Sequence, residues 1–425
     1  MHPLAGHSPF IRESERASER ALQLAKRKRL RRGGGGERKR GGRTRDGTAS
    51  SAPTSTSQSP LFHLTNELPI IPDVDHAGSK IIQPAAAGRG PSFEGMYAWG
   101  DSLTDTGNSL LYQLSIGVDA PEGHLPYGQT FFHYPTGRIS DGRLVVDFLA
   151  KQIRGLDFLL PYLGLNNTLV NSKGKSLVNF AVGGATAQNV DYLNSTYNIS
   201  VFIPYSLDKQ LQWFSTLPIS KDKDAFSKAL IYFGQIGVND YNRALESGFS
   251  LDDIITDFVP NVIKIIQNAL ELLIASGAKY LVVEGGYPIG CTPFYTKLLY
   301  INATTDEYGC VEELQSLNDI HDKLLKELVY NLTTKYHEDV HLIFFDQLKA
   351  YAEIIKHPSH YGFINTTDPC FDTLHSTNLT SLEACSSPAT FVSWDGLHFT
   401  EATHNVLFNL FNTKGFVTPY PNFLT

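Results

Sequence analysis

Five short runs of apolar, β-rich residues occur in the second part of the chain, and amphipathic segments separate them. The runs have the length of buried strands, and the segments between them repeat apolar residues every three or four positions, as helices do. Strands that alternate with helices form a parallel sheet with both faces covered, so the pattern predicts an α/β fold. The five predicted strands are 95–99, 177–182, 229–236, 279–284 and 340–345.

Four of the intervening segments have a strong helical period. One of them contains Pro260, which a helix tolerates only if it is kinked or begins again there. Active sites of such sheets lie at the carboxyl ends of the strands, so functional residues are expected directly after the five runs. The predicted helices are 144–153, 253–275, 314–332 and 399–411.

A serine follows the first predicted strand. Residues 100–103 read Gly-Asp-Ser-Leu, and residues 104–108 continue into a predicted helix start. The Ser102 hydroxyl would then lie at a strand end and its amide at a helix N-terminus, where negative charge is favoured. A serine that only caps the helix would give the same pattern, so the motif alone does not identify a nucleophile.

An aspartate and a histidine, three positions apart, precede the last predicted helix. Asp395 and His398 can meet around one turn, which lets the carboxylate hold the imidazole in the tautomer that a general base needs. A second pair with this spacing, Asp372 and His375, lies in a loop between two cysteines and has no helix to anchor it. The later pair is therefore the preferred candidate.

Amide groups follow the second and third predicted strands. Residues 179–186 place glycine amides after the second strand, and residues 234–241 place the side-chain amide of Asn239 after the third. Gly and Asn are also the residues that tight turns require. The coincidence of a serine, a glycine amide, an asparagine amide and an Asp–His pair at strand ends favours one acyl-transfer site.

Two other catalytic patterns fit the sequence less well. Residues 337–341 match H-E-x-x-H, a zinc signature that requires both histidines on one helix, but His341 already belongs to the fifth predicted strand. The G-x-S-x-G nucleophile elbow of α/β-hydrolases does not occur in the sequence. We therefore predict no metal site and no cofactor.

The four blocks resemble those of the GDSL (SGNH) hydrolase superfamily, and specifically the plant GDSL esterase/lipase family. The resemblance extends from about residue 93 to about residue 416, and segments 126–128, 137–143 and 288–293 also have the plant type of sequence. Residues 1–90 lie outside it. The Ser, Gly, Asn and His blocks of the family are matched here by Ser102, Gly184, Asn239 and His398.

The resemblance implies a three-layer α/β/α sandwich of flavodoxin-like type with a five-stranded parallel sheet. It implies that Ser102 is the nucleophile, that His398 is the general base and that Asp395 orients His398. The Ser102 amide, the Gly184 amide and the Asn239 side chain would form the oxyanion hole. One position departs from the family, because Val238 replaces a usual glycine; as this position is a spacer, we expect changed packing and unchanged chemistry.

The predicted activity is hydrolysis of carboxylic esters through a serine acyl-enzyme, by a monomer. The ester could belong to a lipid, an acetylated sugar or polysaccharide, or a small acetylated metabolite, because fold does not fix specificity. Two alternatives stay open. The same acyl-enzyme could pass its acyl group to an alcohol, as in an acyltransferase, or the fold could serve an inert binding protein.

The start of the chain differs in composition from the remainder. Residues 1–60 carry 14 basic and 5 acidic side chains, a balance of +9, and the remaining 365 residues have a balance of −16. Because residues 1–90 are rich in Arg, Gly, Ser and Pro, we predict that they are disordered and that residues 91–420 form the hydrolase domain. An acidic body does not favour nucleic acid, and without a run of about 18 apolar residues no membrane span is predicted.

Several features favour an oxidising compartment and a secreted glycoprotein. Pairing Cys291 with Cys310 and Cys370 with Cys385 would close two loops, although four free thiols are the alternative. No apolar core of a signal peptide precedes residue 93, so we predict that residues 1–90 misrepresent or replace the native leader. The candidate glycosylation sites are Asn166, Asn194, Asn198, Asn302, Asn331, Asn365 and Asn378.

Overall fold

The computed structural model describes residues 91–165, 176–374, 382–420 and 424. Within these ranges the chain folds around a mainly parallel sheet, which confirms the predicted fold class. The strands are β1 Gly95–Trp99, β2 Leu160–Pro161, β3 Leu177–Asn179, β4 Ala229–Phe233, β5 Tyr280–Glu284, β6 His341–Phe345, β7 Asn365–Pro369, β8 Phe391–Ser393 and β9 Val417–Thr418.

The main sheet has seven strands in the order β2-β3-β1-β4-β5-β6-β9. Its five central strands are the five predicted ones, and all of them are parallel. Two short edge strands were not predicted: β2 pairs in parallel with β3, and β9 pairs antiparallel with β6. Each has only two residues, which is too short to produce a periodic signal. Strands β7 and β8 form a separate small sheet.

Helices flank the sheet in two groups. The helices are α1 Asn108–Ser115, α2 Val145–Arg154, α3 Val190–Tyr197, α4 Leu207–Thr216, α5 Lys223–Phe226, α6 Val238–Glu246, α7 Leu251–Asp253, α8 Val259–Ala275, α9 Glu312–Lys335, α10 Gln347–Lys356 and α11 Glu401–Phe411. In one group α11 packs on both α2 and α10, and in the other α8 packs on both α4 and α9.

The segment around Pro260 shows how the long predicted helix accommodates its proline. A π-turn, Ile254–Phe258, joins α7 to α8, so Pro260 lies in the first turn of α8, where no amide donor is required. Helix Leu251–Ala275 is long and apolar enough to span a membrane by length and composition. However, Val262 and Ile266 are buried in the core of the domain, as expected for a core helix.

Two predicted strands end earlier than their apolar runs. Strand β3 ends at Asn179 and β4 ends at Phe233, because glycine-containing turns follow both of them. All five residues of β1 and of β4 are buried, and the Trp99 ring at the end of β1 stacks on Phe180 at 5.0 Å between centroids. Burial of each such large side chain contributes roughly 1.5–3 kcal/mol, so the strand ends are firmly anchored.

Candidate active site

The candidate nucleophile Ser102 lies in a turn directly after β1. Gly100 has a φ of +148°, and a Cβ on it would lie 3.0 Å from the carbonyl oxygen of Gln235. The Asp101 amide donates to that carbonyl at 2.8 Å. Gln210 of α4 accepts from the Gly100 amide at 3.1 Å and donates to the Gly100 carbonyl at 2.8 Å. The turn is therefore fixed between α4 and the loop after β4.

The buried carboxylate of Asp105 joins the serine block to the glycine block. It accepts hydrogen bonds from the amides of Gly107, Asn108 and Ser109 at 2.7, 2.7 and 2.8 Å. It also accepts from the Gly183 amide at 2.8 Å. Because an unmade buried hydrogen bond costs about 1–3 kcal/mol, these four bonds fix the loop after β1 against the loop after β3.

Two asparagines connect the same pair of loops. The Asn108 amide group donates to the carbonyls of Asn179 and Ala181, both at 2.8 Å. In return, the Asn179 amide group donates to the Thr104 carbonyl at 2.5 Å and to the Thr106 hydroxyl at 3.1 Å. All of these atoms are buried. Because an unmade buried hydrogen bond costs about 1–3 kcal/mol, this exchange holds the two loops in one arrangement.

Gly184 lies in the turn after β3 with a φ of +80°. A Cβ at this position would lie 2.9 Å from the Ile203 side chain, so the close packing itself selects glycine. Within the described ranges, neither the Gly184 amide nor the Ser102 amide donates to a protein acceptor. These two free donors follow the neighbouring strands β3 and β1, which suits them to a negatively charged oxygen.

Asn239, in the first turn of α6, is linked to the glycine block. Its side-chain amide donates to the Ala185 carbonyl at 2.9 Å and retains a second N–H. The next residue, Asp240, accepts from the amides of Ala187 and Gln188 at 2.7 and 2.9 Å. The structure therefore brings Asn239 next to the turn that contains Gly184, as an oxyanion-hole partner must be.

Asp395 and His398 form a hydrogen-bonded pair after β8. The imidazole Nδ1 lies 2.9 Å from Asp395 Oδ2 and 3.1 Å from Oδ1. The backbone amides of Leu397 and His398 donate to Oδ1 at 3.0 and 2.8 Å. The Tyr127 hydroxyl donates to Oδ2 at 3.1 Å. The carboxylate thus has fixed donors on both oxygens, which orients the imidazole that it holds.

The charges of this pair stabilise each other. Burial alone would lower the pKa of His398, but the Asp395 carboxylate outweighs burial and raises that pKa above its ordinary value. Burial alone would raise the pKa of Asp395, but the charge and hydrogen bonds of His398 hold it below its usual value. Two further buried acids act on His398: burial raises the pKa of Asp101 and of Glu122, each to about 7.

The predicted nucleophile and the predicted base are not in direct hydrogen-bond contact in the described part of the chain. Among the described residues, no hydrogen bond links the Ser102 hydroxyl to His398, and His398 Nε2 is buried without a protein partner. Asp101, the residue before Ser102, is nevertheless close enough that its negative charge raises the pKa of His398. Catalytic hydrogen bonds are often long without a substrate and tighten in the reacting complex, so this geometry is compatible with a general base.

Sequence reasoning missed several residues that hold the site. The Pro-Tyr-Gly motif at 126–128 was visible, but nothing in it showed that the Tyr127 hydroxyl binds Asp395. Gln210 gave no signal, because it lies 110 positions from Gly100. Asp105 lies two positions after the serine block 100–103, and Asp240 directly follows Asn239. This closeness to the blocks was the only sequence sign of their roles.

The structure shows how the four cysteines pair and which of the described sequon asparagines are exposed. The structure pairs Cys291 with Cys310 and Cys370 with Cys385, which is the sequential arrangement. Asn365 is half-buried, and its side-chain amide donates to Asp368 at 2.8 Å. Asn166 and Asn378 lie outside the described residues. The exposed candidate sites are Asn194, Asn198, Asn302 and Asn331.

The competing motifs do not assemble a site. His337 lies in the turn after α9, whereas His341 begins β6 and stacks on Tyr280 at 4.9 Å between centroids. In the part of the chain that the structure describes, no group of three His, Cys, Asp or Glu side chains is arranged to hold a metal ion. Of the second Asp–His pair, Asp372 is described and His375 is not.

Sequence comparisons find plant ester hydrolases. The profile described as GDSL-like lipase/acylhydrolase matches residues 96–411. A GDSL esterase/lipase of Arabidopsis thaliana is 38% identical over 333 residues, which cover 74% of this chain and 82% of that protein. Another from the same plant is 34% identical over 345 residues, 77% of this chain and 87% of that protein. Acetylajmalan esterase 2 of Rauvolfia serpentina is 34% identical over 331 residues, with coverages of 73% and 87%.

Proposed function

We propose a serine acyl-enzyme mechanism for this chain, which belongs to the GDSL-like lipase/acylhydrolase family and is a carboxylic ester hydrolase. Ser102 Oγ attacks the ester carbonyl carbon while His398 Nε2 takes the hydroxyl proton. Asp395 keeps Nδ1 protonated and balances the positive charge that the imidazole acquires. The observation that carries this proposal is the fixed Asp395–His398 pair, with an Nδ1–Oδ2 distance of 2.9 Å.

The oxyanion of the tetrahedral intermediate would bind three donors. Two are the Ser102 and Gly184 amides, which have no acceptor among the described residues. The third is the second N–H of the Asn239 side chain, whose other N–H is directed to Ala185. Loss of one such donor typically lowers the rate about 100- to 1,000-fold.

The reaction then proceeds in two halves. The protonated His398 gives its proton to the leaving alcohol, so the ester C–O bond breaks and an acyl-Ser102 ester remains. A water molecule next transfers a proton to His398 and attacks the acyl carbon. Collapse of the second intermediate releases the carboxylic acid and returns the proton to Ser102 Oγ. All proton transfers therefore pass through one imidazole nitrogen.

Substitution of the nucleophile tests the mechanism. We expect Ser102→Ala to lower kcat on p-nitrophenyl acetate by at least about 1,000-fold, because no acyl-enzyme can form. The variant should also lose labelling by a fluorophosphonate probe. Ser215→Ala is the matched control, since among the described residues that exposed hydroxyl hydrogen-bonds only to the Gln212 carbonyl. A Ser102→Ala enzyme that keeps wild-type rates would contradict the assignment.

The substrate is proposed at the level of class. We propose an ester of a lipid, an acetylated sugar or a small acetylated metabolite; the name of the Rauvolfia relative refers to an acetyl ester. A series of p-nitrophenyl esters of increasing acyl length, followed by acetylated polysaccharide, would distinguish these classes. Product analysis with an added alcohol acceptor would show whether water or the alcohol takes the acyl group.

We also propose that the protein is secreted and glycosylated, with residues 91–420 as its hydrolase domain. Two disulfides are typical of proteins that fold in an oxidising compartment. Four sequon asparagines are exposed, as attachment of a glycan requires. Mass spectrometry of the cellular protein, before and after removal of N-glycans, would identify its N-terminus and its modified sites. A native protein that carries the basic segment intact would contradict a cleaved or replaced leader.

A further inference from the structure

The turn that contains Asp395 and His398 is bound at every backbone carbonyl from Ser393 to His398. The His398 carbonyl accepts from within the turn, because the Trp394 amide donates to it at 2.7 Å. The other five accept from two distant parts of the chain. Their donors are the amides of Cys370, Phe371 and Phe294, the Thr373 hydroxyl and the Tyr287 hydroxyl.

One set of donors belongs to the segment that begins at Cys370. The Cys370 amide donates to the Ser393 carbonyl at 3.0 Å, and the Phe371 amide donates to the Trp394 carbonyl at 2.7 Å. The Thr373 hydroxyl donates to the carbonyl of Asp395 itself at 2.8 Å. The Cys370–Cys385 disulfide fixes the start of this segment, so one disulfide loop holds three successive carbonyls of the turn.

The second set surrounds Cys291. Tyr287 precedes this cysteine, and its hydroxyl donates to the Leu397 carbonyl. Phe294 follows the cysteine, and its amide donates to the Gly396 carbonyl at 2.8 Å. The Cys291–Cys310 disulfide ties this segment to the residues before α9. One of the other two carbonyls is therefore held from inside this disulfide loop, by Phe294, and the other by Tyr287, four positions before it.

The turn is buried, which makes these contacts matter. Asp395 and His398 are only 6% and 7% exposed, and Tyr287 is 5% exposed. A carbonyl that loses its donor in such a place costs about 1–3 kcal/mol, so the turn would shift to find another partner. Displacement of a catalytic group by about 1 Å can reduce a rate about 100-fold. The position of the imidazole therefore depends on donors that lie outside the catalytic residues.

We propose that the two disulfide-bonded segments, 370–373 and 287–294, position the catalytic Asp–His turn, with Thr373 and Tyr287 as positioning residues that act through its carbonyls. The two segments approach the turn from different parts of the sequence. One supplies the Thr373 hydroxyl to the carbonyl of Asp395, and the other supplies the Tyr287 hydroxyl to the carbonyl that precedes His398. This inference rests on the proposed function, because it assumes that His398 acts as the general base.

The Thr373 hydroxyl provides the test. We expect Thr373→Val to lower kcat on p-nitrophenyl acetate by about 10- to 100-fold with KM within about twofold of wild type. Thr373→Ser keeps the donor and should restore most of the activity. Thr390→Val is the matched control, since the Thr390 hydroxyl contacts only Ser387 in the same region. Tyr287→Phe should lower kcat in the same way as Thr373→Val. Its control is Tyr162→Phe, which removes a hydroxyl that hydrogen-bonds to Thr216 at an exposed position.

A pH profile separates positioning from general damage to the fold. A looser turn weakens the contact of Asp395 with His398, so the pKa of His398 should fall and the acid limb of kcat should move to lower pH in Thr373→Val. Loss of folded protein alone would scale the profile without moving that limb. Suppose that the wild type is active and that Thr373→Val has the same rate and pH profile as Thr390→Val. That result would overturn the positioning role, and so would a Thr373→Ser enzyme that fails to recover activity. A wild type that is inert and unlabelled by fluorophosphonate would overturn the proposed function instead.

Discussion

His398 lies among three carboxyl groups of different character. Asp395 is hydrogen-bonded to the ring and stays ionised, with a pKa below its usual value. Asp101 and Glu122 are buried with little compensation, so burial raises the pKa of each to about 7. Glu122 accepts a hydrogen bond from Gln113 at 2.7 Å, which fixes the side chain in place. The site thus combines one carboxylate that stays ionised, Asp395, with two carboxyl groups that titrate near neutral pH.

Removal of the Glu122 charge should change the pH dependence of the enzyme. In the proposed mechanism His398 acts as a base only when it is neutral, so activity should rise with pH as His398 loses its proton. Glu122 raises the pKa of His398, and Glu122→Gln should therefore move the acid limb of kcat/KM to lower pH. The exposed Glu313→Gln is the control. A limb that stays unchanged in Glu122→Gln would show that this carboxyl does not act on His398.

The loops after β1, β3 and β4 are the elements that bring the site together. Because these strands are neighbours in the sheet, three blocks far apart in sequence meet at one edge. Helix α11 then begins at Glu401, two positions later than its apolar pattern predicted. The Thr400 hydroxyl accepts from the Thr403 amide at 3.2 Å and caps the helix there. The cap separates the helix from the turn that contains Asp395 and His398.

The glycine of the second block should not tolerate a side chain. Gly184→Ala would place a methyl group 2.9 Å from the Ile203 side chain at a positive φ. We expect the variant to be destabilised by about 1–2 kcal/mol for the backbone conformation alone, with an added loss of kcat as the amide moves. Thermal unfolding and ester hydrolysis measure the two effects.

Gly117→Ala is the matched control for that variant. Gly117 has a similar φ of +73°, but a Cβ there would meet no atom within 4 Å. Gly117→Ala should lower the free energy of unfolding by the conformational cost alone, without the clash and without the loss of activity. Equal effects of the two substitutions on kcat would contradict a special role for the Gly184 turn.

At the scale of the whole molecule, buried acids should make stability depend on pH. Burial raises the pKa of Asp240 to about 7 and that of Glu284 to about 8. A carboxyl whose pKa is raised by folding stabilises the native state fully below its unfolded-state pKa of about 4. This contribution is lost progressively as pH rises from there through the folded-state value. With Asp101 and Glu122, four such groups titrate between about pH 7 and pH 8.

Two buried histidines act in the opposite direction. Burial lowers the pKa of His321 to about 4 and that of His404 to about 3. Their contribution is present above the ordinary histidine value of about 6.5 and is lost as pH falls below it. Between about pH 4 and pH 6.5 the four acids outweigh the two histidines. From these six groups the free energy of unfolding should therefore be greatest at about pH 4 and should decrease towards about pH 8.

Glu284→Gln tests this prediction. The amide oxygen can still accept from the Tyr232 hydroxyl, which lies 2.8 Å from the carboxyl, but it cannot ionise. The variant should lose less stability between about pH 4 and about pH 8 than wild type, as measured by chemical unfolding. The exposed Glu338→Gln should not change the slope. Parallel pH curves for Glu284→Gln and wild type would show that Glu284 does not titrate in this range.

The fold class and the order of the functional blocks were determined by the sequence itself. Strand and helix periods are local properties, and the Asp395–His398 spacing of three residues is within reach of a single turn. For the same reason the two-residue strands β2 and β9 were missed, because a strand so short has no period. The family blocks added the assignments of Ser102, Gly184 and Asn239.

Only the tertiary structure decided how those residues are held and charged. The Tyr127 bond to Asp395 spans 268 positions, and the Gln210 contacts with Gly100 span 110. The five carbonyls of the turn 393–397 accept from two distant segments, 287–294 and 370–373, that no local pattern connects to it. The protonation of Asp101 and Glu122 depends on burial, which is a property of the packed molecule. The sequence therefore indicated which side chains form the candidate site. Their relative positions and their protonation depend on the folding and burial of the chain.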